Sequence, residues 1–229
     1  MSRQQKRLSA SEKLKIARKG YKWVVKPSPG PHKEAIPLLV VIRDLLGLVD
    51  NAKEGRYVIG AGKILVDGVV RKNYKFPVGL FDVISIPDLD SHYRIVFDDH
   101  GRYIPIEIED YNVKLYRINN KTVVKGGKIQ LNLFDGTNIL ADNSYKTKDS
   151  ILLSIPDKEI KDHVKYGVGS LVLVTGGNHV GEIGKIKEIK VVRSSQPNLV
   201  EIEGDYTFTT IEDYVFVIGR DKPLIDIGV

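Results

Sequence analysis

The chain has no cysteine, which excludes disulfides and every thiolate metal site. It has no long apolar run either. The longest, Ile36 to Ile42, is far too short to cross a bilayer as a helix, and the opening residues lack the apolar block of a secretory leader. The expectation is a soluble, cytoplasmic protein. Paired metal-ligating histidines are missing as well: none of His32, His92, His100, His163 and His179 lies within five residues of another. There is no G-x-S-x-G elbow. Gly60-Ala61-Gly62-Lys63 looks like the end of a phosphate loop, but Tyr57 holds the first-glycine position and Ile64 stands where a magnesium-binding hydroxyl belongs. The glycine-rich run Gly176 to Lys185 lies between predicted strands, with no helix N-terminus to receive phosphate. Neighbouring carboxylates such as Asp98/Asp99 and Glu107/Glu109 fall in turns or alternate along a strand, as on a solvated face. No catalytic constellation, metal site or cofactor site emerges, and the chain is read as a non-enzyme.

What the first 33 residues lack is acid. They carry Arg3, Lys6, Arg7, Lys13, Lys15, Arg18, Lys19, Lys22, Lys26 and Lys33 against Glu12 alone, a net +9. The whole chain is only +6, so the other 196 residues sum to −3. A local block of cations on a near-neutral body makes a polyanion the expected partner, the alternative being a solubilising or targeting tail. The rest of the 229-residue chain is ordinary globular material, 42% hydrophobic and 28% charged, enough for several small modules.

The arm carries a helix-start signal, Ser9-Ala10-Ser11-Glu12, predicting a short helix to about Arg18 that its partner would order. The prolines of Lys26 to His32 predict an extended connector. Ala35 to Leu46 reads as a helix apolar nearly all round, closed by Gly47. Asn51 to about Gly62 reads as a second helix with Ala52, Gly55, Ile59 and Gly62 on one side and Lys53, Arg56, Gly60 and Lys63 on the adjoining one. Its glycines allow close approach of a partner or close packing on the first helix. Asp67-Gly68 predicts a hairpin turn. Arg71-Lys72-Asn73-Tyr74-Lys75 then gathers three cations and an aromatic. Tyr74 could stack on a base or pack locally; for Trp23 packing is favoured. From Tyr93 the pattern is β: Tyr93–Phe97, Arg102–Ile108, Val113–Ile118 and Ile129–Leu133 suggest a small barrel. A further β unit begins near Gly167, with strands at Ser170–Val174, Glu182–Val191, Leu199–Glu203 and Tyr214–Ile218.

Several segments coincide with one family. SPGPHK (28–33), IPLLVVIRDLL (36–46), GKILVDGVVRKNYKFPVGLFDVISI (62–86), FDDHGRY (97–103), LVLVTGGNHVGEIGKI (171–186) and FVIG (216–219) run in its order from end to end. The chain resembles the ribosomal protein S4e family of the archaeal and eukaryotic small subunit. The stop at Val229, without a longer basic tail, points to the archaeal type. The resemblance implies an α+β, mostly β fold in four parts. These are a basic arm (1–33), a small αL-type RNA-binding module (34–90), a central β-barrel-like domain (91–166) and a KOW-type, SH3-like barrel (167–229). It also implies an RNA surface on the second helix and following hairpin, here Lys53, Arg56, Lys63, Arg71, Lys72, Asn73 and Lys75, and KOW turn glycines at Gly177, Gly181 and Gly184. The partners implied are small-subunit rRNA and neighbouring ribosomal proteins. Two other readings are an RNA-modifying enzyme, which would need a large α/β catalytic domain that residues after 90 do not supply, and a transcription-associated KOW factor.

Overall fold

The computed structural model describes residues 5–30 and 34–228. Arg3 and Lys33 lie outside them. The chain forms two compact units, one ending near residue 112 and the other beginning at Val113.

The first unit opens with β1 (Gln5–Lys6) paired to β2 (Trp23–Val24). The helix expected from Ser9 is absent: a single 3-10 turn spans Arg7–Ser9, and the Ser9 hydroxyl donates back to the Lys6 carbonyl. So few apolar residues cannot sustain a helix. The loop is held instead by side chains reaching its carbonyls, with Ala10, Leu14 and Val24 buried beneath it.

β3 (Ile36–Pro37) leads into helix α1, which begins at Leu38–Val40 and widens into a π-helical turn, Val41–Leu45. Leu38 to Ile42 are all buried, as a helix apolar on every side requires. Helix α2 (Ala52–Gly60) is capped by Asn51, whose Oδ1 accepts from the Lys53 and Glu54 amides at 3.0 and 2.9 Å, worth about 1 kcal/mol. Glu54 returns the favour to the Asp50 amide. Gly55 and Ile59 face the core. A Cβ at Gly55 would strike Leu39 Cδ1 of α1, so this glycine serves helix packing. Gly60 has open space around it.

β4 (Leu65–Val66) and β5 (Val69–Val70) form the expected hairpin, with φ of +51° at Asp67 and +72° at Gly68, the signature of a type I′ turn. β6 (Pro77–Val78) pairs with β3. β7 (Val83–Ile86), β8 (Ser91–Phe97) and β9 (Tyr103–Glu107) complete a sheet in the order β5-β4-β7-β8-β9. β7 and β8 pair from Ile86↔Ser91 onward, straight across the boundary expected at 90. The two strands placed by sequence at the head of a central barrel thus extend this first sheet. The tight Pro87–Asp90 turn joins β7 to β8 as adjacent antiparallel strands, and β9 pairs on the far side of β8.

The second unit holds two five-stranded antiparallel sheets. One has the order β12 (Asn138–Ala141), β11 (Ile129–Leu133), β10 (Val113–Val123), β13 (Ser150–Ser154), β14 (Ile160–Val164). Asn119-Asn120-Lys121, expected as a turn, lies inside β10, where a bulge between Ile118 and Asn120 absorbs it. The other sheet has the order β18 (Thr207–Ile211), β17 (Leu199–Glu203), β16 (Ile183–Lys190), β15 (Leu171–Val174), β19 (Val215–Gly219). Their cores are Tyr116, Ile118, Leu131 and Ile151 in the first, and Val172, Val174, Ile186, Val200 and Ile202 in the second. Arg117 of β10 joins the two sheets, donating from Nη1 to the Asp213 and Val215 carbonyls at 2.7 and 3.1 Å.

Candidate nucleic-acid interface

The arm's cations divide into two sets. Arg7 and Arg18 are turned inward. Arg7, only 8% exposed, donates from Nη1 to the Ala17 carbonyl at 2.7 Å and from Nε to that of Trp23 at 3.3 Å. Arg18 donates from Nη1 to the carbonyls of Arg7 and Ala10 at 2.9 and 2.8 Å, and from Nη2 to that of Ser11 at 2.7 Å. Five charge-assisted bonds to main-chain oxygens replace the regular structure that this segment lacks. Lys13 also turns toward the body: its ammonium lies 4.7 Å from the Phe97 ring centre and its carbonyl accepts from the Tyr103 amide at 2.9 Å. Burial lowers its pKa, with Glu34 opposing.

Lys6, Lys15, Lys19 and Lys22 are exposed, and Lys26 is half-buried. Lys22 lies over the Trp23 ring at 5.1 Å. Among the described residues none of these five has a carboxylate at ion-pair distance. In the second unit some of the lysines are paired. Lys148, Lys161, Lys185, Lys187 and Lys190 each meet an Asp or Glu within 4 Å, and buried Lys114 approaches Asp135 at 3.8 Å.

The second basic group sits on α2 and the segment after β5. Lys53, Arg56, Lys63 and Lys72 are exposed. Asn73 shapes the loop: its Oδ1 accepts from the Lys75 amide, and its Nδ2 donates to the Ser28 carbonyl at 3.4 Å. The loop also closes α1, because the Leu38 and Leu39 amides donate to the carbonyls of Phe76 and Tyr74 at 2.9 and 3.0 Å. Those are orphan donors at a helix start, so the cationic loop is anchored by the backbone of a buried helix. Tyr74 is half-buried, with the Arg56 guanidinium 4.8 Å and the Lys75 ammonium 5.6 Å from its ring centre. Arg71 lies over Phe76 at 4.3 Å. Lys63 pairs with Asp88 at 2.6 Å, and this hydrogen bond raises its pKa.

Of the sequence-assigned residues, the structure therefore displays Lys6, Lys15, Lys19, Lys22, Lys53, Arg56, Lys63 and Lys72 to solvent. It turns Arg7 and Arg18 into arm fasteners and gives Asn73 a loop-shaping role. Tyr57 on α2 is a candidate that sequence reading passed over. Its 77% exposure is visible only once the helix is placed on the core.

In the last sheet, Gly177 and Gly181 have φ of +83° and +93° in the β15–β16 turn, where side chains are disfavoured. Gly184 is different. It sits in β16, where a Cβ would come 2.6 Å from Ile202 Cγ2 and 2.8 Å from the Glu203 carbonyl oxygen.

No group of three or more His, Asp or Glu residues suited to a metal occurs among the described residues, and no helix there is long and apolar enough to cross a membrane. The polar histidine contacts are pairwise or local, such as His163 Nε2 with Asp149 at 2.8 Å.

Two family models match: "Ribosomal family S4e" over residues 89–160 and "RS4NT (NUC023) domain" over residues 1–35. The chain is 67% identical to a small ribosomal subunit protein eS4 of Archaeoglobus fulgidus, covering 98% of both chains. It is 53% identical to a protein of the same description from Methanocella arvoryzae, over 96% of this chain and 95% of that one. Among solved structures it is similar to the crystal structure of the 30S ribosomal protein S4e from Thermoplasma acidophilum. That match has a TM-score of 0.72 and 33% identity, covering 82% of this chain and 97% of the other.

Proposed function

The chain belongs to the ribosomal protein S4e family, a family of structural proteins rather than enzymes, and we propose that it is a constituent of the cytoplasmic small ribosomal subunit that binds and stabilises folded rRNA. The observation that carries this reading is the cluster of unpaired surface cations. The arm, α2 and the segment after β5 leave Lys6, Lys15, Lys19, Lys22, Lys53 and Lys72 exposed and without a carboxylate at ion-pair distance among the described residues, and the first 33 residues hold ten cations against the single acid Glu12. Cations left unneutralised on a folded surface are what a phosphate backbone requires, and folded RNA is read mainly by shape and backbone. Residues 34–90 are read as the αL-type module, its sheet extended by β8 and β9, with α2 and the 71–75 loop as its RNA face. Residues 167–229 are read as a KOW-type barrel with Gly177 and Gly181 in its turn. Neighbouring small-subunit proteins are the further partners. Small-subunit names on relatives aligned over nearly the whole chain favour this reading over a transcription-associated factor.

The test is filter binding of the full chain to small-subunit rRNA across a salt series. With about six phosphates neutralised, log K should fall against log salt with a slope of roughly −4 to −5. Lys53→Ala with Arg56→Ala should flatten that slope by about one to two. A nearly salt-independent affinity would sink the proposal, as would failure to co-sediment with small subunits at moderate salt.

A further inference from the structure

The RNA face of α2 carries one large apolar group with no work to do in the fold. Tyr57 is 77% exposed, and among the described residues its ring has no aromatic partner, no cation over its face and no hydrogen bond at its hydroxyl. Tyrosine is a weaker helix former than alanine, lysine or glutamate, so local preference does not explain it. Nearby Tyr74 is the contrast, its ring occupied by Arg56 and Lys75.

The surroundings of Tyr57 are specific. Lys53 lies one turn before it, and Gly60 and Ala61 one turn after. Helical side chains lean toward the N-terminus, the side on which Lys53 stands. A Cβ at Gly60 would meet nothing within 4 Å. This second α2 glycine, which packing does not explain, leaves the helix surface one turn after the tyrosine without a side chain. Lys63 lies beyond Gly60 and Ala61 along the chain, paired with Asp88 at 2.6 Å. An exposed aromatic group on a helix that also displays Lys53 and Arg56 matches a nucleobase attached to its phosphates.

We propose that Tyr57 is a stacking platform for one unpaired rRNA base, with Lys53 and Arg56 holding the adjoining phosphates. The proposal rests on the RNA-binding reading above and adds the residue that takes a base. Base–aromatic stacking is strong enough that its removal shows as a change in affinity, while it neutralises no phosphate.

The experiment compares the full chain with Tyr57→Ala, Tyr57→Phe and Tyr57→Trp, each bound to protein-free small-subunit rRNA over a salt series. Far-UV circular dichroism confirms the fold, and alanine favours the helix. Tyr57→Ala should bind about tenfold more weakly or worse with the salt slope unchanged, while the Phe and Trp variants keep near-native affinity. Photo-crosslinking to 4-thiouridine-substituted rRNA should then join the α2 peptide to an unpaired position. Tyr57→Ala binding within about twofold of the parent overturns the proposal. So does a loss that Phe fails to rescue, which would assign the phenol a hydrogen bond. A variant normal on naked rRNA but lost from subunits would put a protein there instead, and is equally fatal. An unchanged slope in the Lys53→Ala, Arg56→Ala double variant would refute the RNA face itself, whatever Tyr57 does.

Discussion

Replacing Arg7 by methionine keeps the length and much of the apolar contact of the side chain but removes its donors. Two main-chain oxygens, those of Ala17 and Trp23, lose a charged partner, and the contact with Tyr21 at 5.4 Å goes with it. A hydrogen bond to a charged group contributes about 1.5–3 kcal/mol net, so the closed arm should lose roughly 3 kcal/mol or more. That accelerates hydrogen exchange of the arm's bonded amides at least about a hundredfold. The Arg7 amide, bonded to the Lys22 carbonyl at 3.0 Å, and the Ala10 amide, bonded to the Arg7 carbonyl at 3.2 Å, are the reporters. Trypsin should cut sooner at Lys15, Lys19 and Lys22. Amides of β10, in the other unit, should exchange as before. On rRNA, Arg7→Met should leave the salt slope nearly unchanged, because the guanidinium is already spent on carbonyls, whereas Lys19→Ala should reduce it by about one. Arm amides exchanging at the parent rate would refute the fastening role. A salt slope reduced by a full unit in Arg7→Met would show that Arg7 meets phosphate after all.

Gly184→Ala should destabilise the last sheet by about 1–3 kcal/mol, because the added methyl meets the Glu203 carbonyl oxygen, which is backbone and cannot rotate away; urea unfolding reads this directly, and an unchanged midpoint would contradict it. Glu201 lies between Lys190 and Lys187, whose hydrogen bonds lower its pKa from 4.5 to about 2. A depressed carboxylate stabilises the folded state fully above the unfolded value, and that contribution is lost as pH falls from about 4.5 toward 2. A carboxyl resonance of Glu201 titrating near 2 in NMR is expected; one titrating near 4.5 would show that the lysines do not hold it.

The sequence alone determined whatever depends on neighbours along the chain. The Asp67-Gly68 turn follows from two residues that tolerate positive φ, and α2 from Asn51 and its 3.6-residue period. The bias of ten cations against one acid needs no structure to be seen. Where local signals compete with long-range contacts, the sequence misled. Ser9 and Glu12 spell a helix start, yet residues 9–18 gain more by offering their carbonyls to Arg7 and Arg18 than a short helix poor in apolar residues could return. Asn119-Asn120 spells a turn, yet pairing with β11 carries β10 through it. Strand partners obey the same logic, since β8 looks like the start of a new domain until its register with β7 is known.

The candidate site divides along that line too. Sequence identified the cations, because charge is a property of residue type. Only tertiary structure decided which of them face solvent: the same guanidinium is a phosphate ligand if exposed and a backbone fastener if buried, and burial depends on residues far away in the chain. It also decided that Tyr74 is half-buried with two cations near its ring while Tyr57, seventeen positions earlier, stands exposed.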